Sequence, residues 1–400
     1  MGSQITRLAL PFQVYALTGS TLAIAALTVV QLVPLLVFAL AAGSLADAVD
    51  KRRLLLATQV GLAVTSGALV VLALQGDPPL VLLFVVAFFA AGLTSVDQPT
   101  RASSIPRLVP AERLPAAMAL NQLNYQAASI IGPAFGGILI ATVGLPGAYA
   151  IDVLTFVASF VALLVIRPLP PLGRVTRPGL AAVREGLAFV RRRPVLMGTF
   201  VIDLNAMILA SPIALFPAIA LDIFRVGPAG LGILAAAPAA GAFVGALLSG
   251  WVPRVRRVGR ALVIVVALWG LAMAGFGVAV LLQAIALAPL IWTFPLGLVL
   301  LAVAGAVDMF SAVFRNTILQ LTTPDELRGR VTSIHILVVT GGPRLGDIQA
   351  ALVAAAVGPG LAVVAGGLLC VLGVGVSSRR IPSLPAHVLG EGAEELPART

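Results

Sequence analysis

Long apolar stretches separate the charged residues of this chain, and this pattern restricts the fold more than any other feature of the sequence. A helix crosses a lipid bilayer in roughly 20 predominantly apolar residues. Charge-free stretches of one or two such lengths recur along the chain and predict twelve crossings. Charged residues make up 10% of the chain, against about 25% in a soluble domain. The chain is therefore predicted to be an all-α integral membrane protein.

The basic residues are distributed asymmetrically about these stretches. All but three of the 26 lie in segments on one predicted side of the membrane, and the exceptions are Arg7, Arg225 and Arg344. Lys and Arg accumulate in cytoplasmic loops. We therefore expect a multi-pass protein of the bacterial plasma (inner) membrane, with both termini cytoplasmic. The net charge of +10 then reflects topology and contact with the lipid bilayer, and no nucleic-acid partner is expected. The basic segments are Lys51–Arg53, Arg101–Arg113, Arg167–Arg193, Arg254–Arg260, Arg315–Arg330 and the tail from Arg379.

The two halves of the chain resemble each other in parallel. Arg101 is followed nine residues later by Pro110, and Arg315 is followed nine residues later by Pro324. Parallel repeats of this kind place a substrate site between the halves, near the bilayer midplane. We also expect an amphipathic helix at the membrane surface within the linker, from Gly179 to Arg193. The predicted parts are an N-terminal six-helix half (1–166), a cytoplasmic linker (167–194), a C-terminal six-helix half (195–377) and a disordered, polar cytoplasmic tail (378–400).

The first predicted span is short compared with its counterpart in the second half. The apolar stretch before Pro217 begins at Val195, whereas only ten residues precede the aligned Pro11. This difference predicts that the cytoplasmic end of the first helix is missing. A misassigned start codon is the favoured explanation, and a naturally shortened chain is the alternative.

The connection between the second and third spans carries the strongest motif, which runs from Gly43 to Arg53 as G-S-L-A-D-A-V-D-K-R-R. It resembles the G-x-L-A-D-R-x-G-R-R signature of the major facilitator superfamily, from which Ala48 and Asp50 depart. The resemblance implies the major facilitator fold, with twelve transmembrane helices in two parallel six-helix halves. It also implies a cytoplasmic gating latch, for which a plain basic loop is the alternative. The latch residues would be Gly43, Asp47, Lys51 and Arg52.

A second motif lies in the fifth span. Gly132, Pro133, Gly136 and Gly137 are similar to the G-P-x-x-G-G signature of exporters in this superfamily that exchange substrate for protons. Generic packing of small residues between helices would also place glycines here. The loops around Pro99 and Pro324 and the stretch Gly341–Asp347 resemble the enterobactin-exporter-like, or transmembrane secretion effector, branch of the superfamily.

Charged residues at bilayer depth are candidates for function because such positions are costly to occupy. Arg344 lies 13 residues after Val331, so it is roughly 20 Å into its helix. Asp347, one turn further on, can pair with it. The pair is either a closed structural ion pair or a site where Arg344 meets an anionic substrate and Asp347 exchanges a proton. Asp203 is the second candidate proton carrier, and its alternative is a buried pair with Arg344 or another base.

Uncharged polar residues are weaker candidates. Asn205, Asn124 and Gln13 could contact substrate, but hydrogen bonds between helices are an equal interpretation. The remaining acids at depth are expected to be structural, and His335 is expected to be a hydrogen-bonded residue near the membrane interface. These acids are Asp97, Asp152 and Asp308.

No nucleotide-binding loop, metal-binding cluster or nucleophile motif occurs in the sequence. We therefore expect no catalytic residue, metal or cofactor, and an ion gradient as the energy source. The sequence is interpreted as a monomeric secondary active transporter. It would export an amphipathic small molecule, a siderophore or a drug-like compound, by proton-coupled alternating access. The alternatives are a small-nutrient importer of the same superfamily and a membrane receptor or degenerate copy without transport.

Overall fold

The computed structural model describes residues 2–171 and 180–388, with the side chains of 39–48, 180–183, 325, 326, 329 and 333 excepted. Every regular element in these ranges is helical. The helices are α1 (Gly2–Thr18), α2 (Thr21–Ala48), α3 (Lys51–Leu74), α4 (Leu80–Leu108), α5 (Leu114–Val165), α6 (Leu180–Arg192), α7 (Pro194–Leu209), α8 (Phe216–Ala218), α9 (Gly227–Leu247), α10 (Val258–Ala284), α11 (Leu290–Thr322), α12 (Asp325–Val357), α13 (Pro359–Arg380) and α14 (Ser383–Ala386).

The number of crossings follows from the lengths of these helices. Ten helical stretches among the described residues are long and apolar enough to span a bilayer. One of them, Ala111–Val165, is 55 residues long, and it contains two crossings because the backbone kinks at Gly144, where φ is 71°. A residue other than glycine adopts this conformation only with strain. With the 17-residue α1 added, the count is consistent with the twelve predicted crossings, and the all-α membrane fold is confirmed.

The described helices pack as two compact units. The first comprises the described residues of Met1–Pro178 together with Phe216–Ala236. The second comprises the described residues of Gly179–Leu215 and Ala237–Thr400. These units are not identical to the predicted halves, because Phe216–Ala236 follows the linker in sequence and packs in the first unit. The boundaries of the predicted halves stay a prediction.

Local features of the predicted repeat recur in the structure. Pro110 and Pro324 both occupy the N-cap position that precedes a helix. The basic residues nine positions before them, Arg101 and Arg315, both lie on helices that continue past the predicted ends of their spans. The expectation that Arg315 belongs to a cytoplasmic loop segment is wrong. It lies inside α11 and is 5% exposed, and its charge is paired with the buried Asp203.

The predicted surface helix of the linker is present as α6, while Gly179 lies outside the described residues. Glu185 on α6 forms an ion pair with Arg330 on α12. Gly186 lies so close to α12 that an added Cβ would be 2.9 Å from the Ile334 side chain. The middle of α6 and the first turns of α12 are thus joined by packing as well as by charge, which fixes the linker helix to the second unit.

The prediction that the chain is disordered from residue 378 is wrong for residues 378–388, whereas residues 389–400 lie outside the described part. Helix α13 continues to Arg380, and α14 then returns onto α7 and α10. Leu384 is fully buried there. A Cβ added to Gly198 on α7 would lie 3.1 Å from the Leu384 side chain. The amide of Gly259 donates to the carbonyl of His387 at 3.3 Å. One apolar side chain and one backbone hydrogen bond therefore order this segment.

We expect Leu384→Ala to release the segment after Arg380. Removing a buried leucine side chain costs about 2–5 kcal/mol, and a loss of about 2 kcal/mol raises the open population roughly 30-fold. Limited trypsin digestion of the detergent-solubilised protein should then cleave faster at Arg379 and Arg380, because proteolysis follows the open population. Leu372→Ala is the matched control, since Leu372 is exposed on α13. Equal cleavage of the two variants would contradict the docking.

Candidate functional site

An ion pair between two helices lies in the interior of the second unit. Asp203 on α7 is 1% exposed, and it pairs with Arg315 of α11. The second terminal nitrogen of the guanidinium, Nη2, lies 3.6 Å from Oδ1 of Asp308, seven residues earlier on α11. Buried charges are tolerated when they are paired. Asp203 thus pairs with a base, Arg315, and its role as a proton carrier stays a prediction.

A small cavity adjoins this cluster of Asp203, Arg315 and Asp308, which we call the charge cluster. It has a volume of about 20 Å³, enough for one water molecule. Buried polar atoms without a hydrogen-bond partner among the described residues include Oδ2 of Asp203 and Nε of Arg315. Trp269 of α10 contributes its side chain to the lining. The charge cluster therefore keeps hydrogen-bonding capacity at the edge of a cavity that can hold water.

The seventh span is discontinuous near the charge cluster. Helix α7 ends at Leu209, and the chain continues through a 3-10 turn (Ile213–Leu215), α8 and a π-helix (Ile219–Ile223). Asp347 of α12 accepts a hydrogen bond at 3.1 Å from the amide of Ala214. Its carboxylate thus satisfies a backbone group that the interrupted helix leaves open. Discontinuous helices line substrate and ion sites in secondary transporters.

Most of the uncharged candidates form hydrogen bonds between helices. Nδ2 of Asn205 donates to the carbonyl of Cys370 on α13 at 2.9 Å. The hydroxyl of Tyr149 donates to Oε1 of Gln13 at 2.8 Å, and both side chains are buried. Asn124, in contrast, is exposed on α5. Arg344 lies on α12, one turn before Asp347, and its pairing stays a prediction, as does a role of these residues in substrate contact.

The structure places two of the four latch residues. Lys51 is buried, and its Nζ donates to the Ser103 hydroxyl on α4 at 2.8 Å. Arg52 donates from Nη2 to the carbonyl of Leu164 at the end of α5, at 2.6 Å. Asp50, which departs from the family signature, caps α3 by accepting a hydrogen bond from the amide of Arg53. The contacts of Gly43 and Asp47 lie outside the described part, so the role of these two residues in the latch stays a prediction.

The glycines of the fifth span allow helices to approach closely. Gly132, Pro133, Gly136 and Gly137 are all buried. A Cβ added to Gly137 would lie 2.5 Å from the carbonyl oxygen of Pro228 and 2.8 Å from Cα of Gly232 on α9. Glycine is therefore required where α5 and α9 meet within the first unit. This contact is consistent with close packing of small residues between transmembrane helices.

Sequence reasoning missed the central residue of the site. The sequence places Arg315 in a loop and gives Asp308 a structural role, yet Arg315 pairs with Asp203 and lies 3.6 Å from Asp308. Their spacing of seven residues places them on one helix face, which is the signal that could have joined them. The other two acids that were predicted to be structural do bind neutral or local partners. Asp97 accepts from Thr58 and Gln59, and Asp152 accepts from Thr6 and Ser66.

This architecture is that of polytopic transporters with the major facilitator fold. A POT family transporter in complex with 5-aminolevulinic acid superimposes with a TM-score of 0.71 at 12% identity, covering 96% of this chain and 94% of that one. A bacterial homologue of the iron transporter ferroportin, in an inward-facing state, superimposes with a TM-score of 0.71 at 15% identity, covering 94% of each chain. At these identities the likeness concerns the fold alone.

The family follows from the sequence. Residues 1–389 match the transmembrane secretion effector family, and the chain belongs to that family. It is 27% identical to the enterobactin exporter EntS of Escherichia coli O6:K15:H31 (strain 536) over 395 residues, which is 96% of this chain and 91% of the relative. It is 32% identical to the multidrug efflux pump Tap of Mycolicibacterium fortuitum over 370 residues, which is 89% of this chain and 87% of the relative. The predicted resemblance is confirmed, and the protein is a multi-pass membrane transporter, not an enzyme.

Proposed function

We propose that the protein is a proton-coupled exporter of amphipathic small molecules in the bacterial inner membrane, with both termini in the cytoplasm. The observation that carries the proposal is the enclosed ion pair between Asp203 and Arg315 in a chain of a transporter family. An ionisable residue inside a transmembrane helix is expensive, and it marks ion pathways and proton relays. Protonation of a carboxylate in such a pair removes the charge that holds the arginine.

The relatives suggest the direction and the cargo. Both named relatives move compounds out of the cell, a siderophore in one case and drugs in the other. The glycine-proline motif of the fifth span, similar to that of exchangers, supports the same direction. In the proposed cycle the monomer alternates access, and uptake of a proton from outside by Asp203 or Asp347 accompanies the release of substrate.

A double variant tests the proton coupling. We expect Asp203→Asn with Asp347→Asn to abolish efflux of enterobactin or of a fluorescent drug-like dye from proteoliposomes under an imposed pH gradient. Asp77→Asn, a change of the same kind at an exposed residue, should leave efflux intact.

The outcome is decided by the pH dependence and by the direction of transport. Undiminished efflux with full proton dependence in the double variant would show that neither carboxylate carries the proton. Net uptake of the test compounds in right-side-out vesicles would instead favour the importer, and binding without any flux would favour a receptor.

A further inference from the structure

The charge cluster contains two carboxylates and one guanidinium. With both acids ionised, these three groups together carry a net charge of −1, and of the two acids only Asp203 is buried. Two acids that interact with one base titrate as a unit rather than separately. A proton taken up by either acid therefore removes the excess negative charge of the charge cluster.

The two aspartates are the groups at the cavity that can take up a proton. The other residues that line it are Ala206, Met207, Val266, Trp269, Ser311 and the positively charged Arg315. From α12, the ring of His335 lies 6.1 Å from that of Phe200 on α7. A proton taken up at the cavity therefore binds to Asp203 or to Asp308.

The exposure of the two acids differs sharply. The side chain of Asp203 is 1% exposed and that of Asp308 is 59% exposed. Asp203 also makes the closer contact with Arg315. We propose that Asp308 is the residue that carries and exchanges the proton of the charge cluster, with Arg315 as the positioning residue. This proposal rests on the proposed function, and within the charge cluster it assigns the exchange of the proton to Asp308 in place of Asp203.

The arrangement of the helices gives this proton a consequence. While Asp308 is neutral, Arg315 is bound by Asp203 and joins α11 to α7. When Asp308 releases its proton to water, its new carboxylate competes for the guanidinium from the same helix, seven residues away. The guanidinium of Arg315 is then attracted by both carboxylates, and its ion pair with Asp203, which holds α11 to α7, is weakened. Proton exchange at Asp308 would thereby alter a contact between two transmembrane helices, which is the coupling that an exchanger requires.

The cavity beside the charge cluster supports this exchange. A water molecule in the roughly 20 Å³ of free space would find an acceptor in Oδ2 of Asp203 and a donor in Nε of Arg315. A buried water needs two to four polar partners of this kind. Such a water would keep Asp203 and Arg315 solvated while the guanidinium moves toward Asp308.

Carbodiimide labelling identifies the protonated acid directly. Dicyclohexylcarbodiimide reacts with protonated carboxyl groups, so we treat the purified full-length protein with it at a series of pH values and map the products by peptide mass spectrometry. We expect labelling of Asp308 that decreases as the pH rises, and no labelling of Asp203. Labelling of Asp203 instead, or of neither residue at any pH, would overturn the proposal.

A spectroscopic experiment makes the same test without chemical modification. In the variant Trp251→Phe/Trp292→Phe the only tryptophan is Trp269, which borders the charge cluster. Its fluorescence should titrate with pH, and the titration should disappear in Asp308→Asn, persist in Asp77→Asn, and reappear with a shifted midpoint in Asp308→Glu. An unchanged titration in Asp308→Asn would also overturn the proposal.

Both measurements are made without a transported compound, so they fail independently of the proposed function. If Asp308 binds the proton but Asp308→Asn still exports under a pH gradient, the assignment of the proton stands. In that case the proposal that this proton is coupled to transport is wrong.

Discussion

The variant Arg315→Ala is expected to lose about 3–5 kcal/mol of stability and all transport, because it leaves Asp203 buried without its cation. Cys370 offers a natural reporter of unfolding, since it is the single cysteine and is fully buried. A thiol-reactive fluorescent dye should therefore label the variant at a markedly lower temperature than the parent protein. Arg260→Ala, at an exposed arginine in the first turn of α10, should change stability by no more than about 0.5 kcal/mol.

A double variant tests whether the stability lost in Arg315→Ala comes from the unpaired charge of Asp203. Removing one partner of a buried ion pair leaves an uncompensated charge, whereas removing both charges together does not. We therefore expect Asp203→Asn with Arg315→Gln to recover most of the lost stability while efflux under a pH gradient stays abolished. If Arg315→Ala is as stable as the parent, or if the double variant is less stable than the single one, the ion pair does not have the role described.

The second large effect is expected at Gly137, where α5 and α9 meet. A Cβ at this position would lie 2.5 Å from a backbone oxygen and 2.8 Å from a backbone carbon, and backbone atoms cannot move aside as a flexible side chain can. Gly137→Ala should cost about 1–3 kcal/mol, the range for an overpacked core, and should reduce efflux. Thermal unfolding followed through Cys370 and efflux from proteoliposomes measure the two effects.

The neighbouring glycine of the same motif is the matched control. A Cβ at Gly136 would lie 3.4 Å from Cα of Ile5, an ordinary contact. Gly136→Ala should therefore fold and transport nearly as the parent does. Equal losses in the two variants would mean that the motif as a whole, and not the close approach of Gly137 to Gly232, determines packing here.

The sequence predicted those features of the fold that depend on local chain properties. Apolar length predicted the spans, and Gly144, inside one of the long apolar stretches, marks the division of α5 into two crossings. The recurrence of Pro110 and Pro324 nine residues after Arg101 and Arg315 predicted a parallel repeat, and both prolines precede a helix in the structure. Each of these features is set by neighbouring residues, so a pattern of residue types is sufficient to indicate it.

The pairing of charges could not be predicted in the same way. The sequence shows that Asp203 lies at bilayer depth, but the face of another helix that meets it depends on packing between helices. Apolar length places Arg315 in a loop, because it underestimates a helix that extends beyond its charge-free stretch. The docking of Leu384 was missed for a related reason, since a single apolar residue in a polar segment gives no periodic signal.

The composition of the two units also bears on how the chain can be dissected. Residues Phe216–Ala236 lie after the linker in sequence but belong to the first unit, where Asp222 accepts a hydrogen bond from Tyr15 and Gly232 meets Gly137. A fragment that stops at the linker would thus lack part of its own interior. Split expression of the gene at residues 167–194 should consequently yield two pieces that are degraded when made separately and that accumulate only when both are synthesised in the same cell.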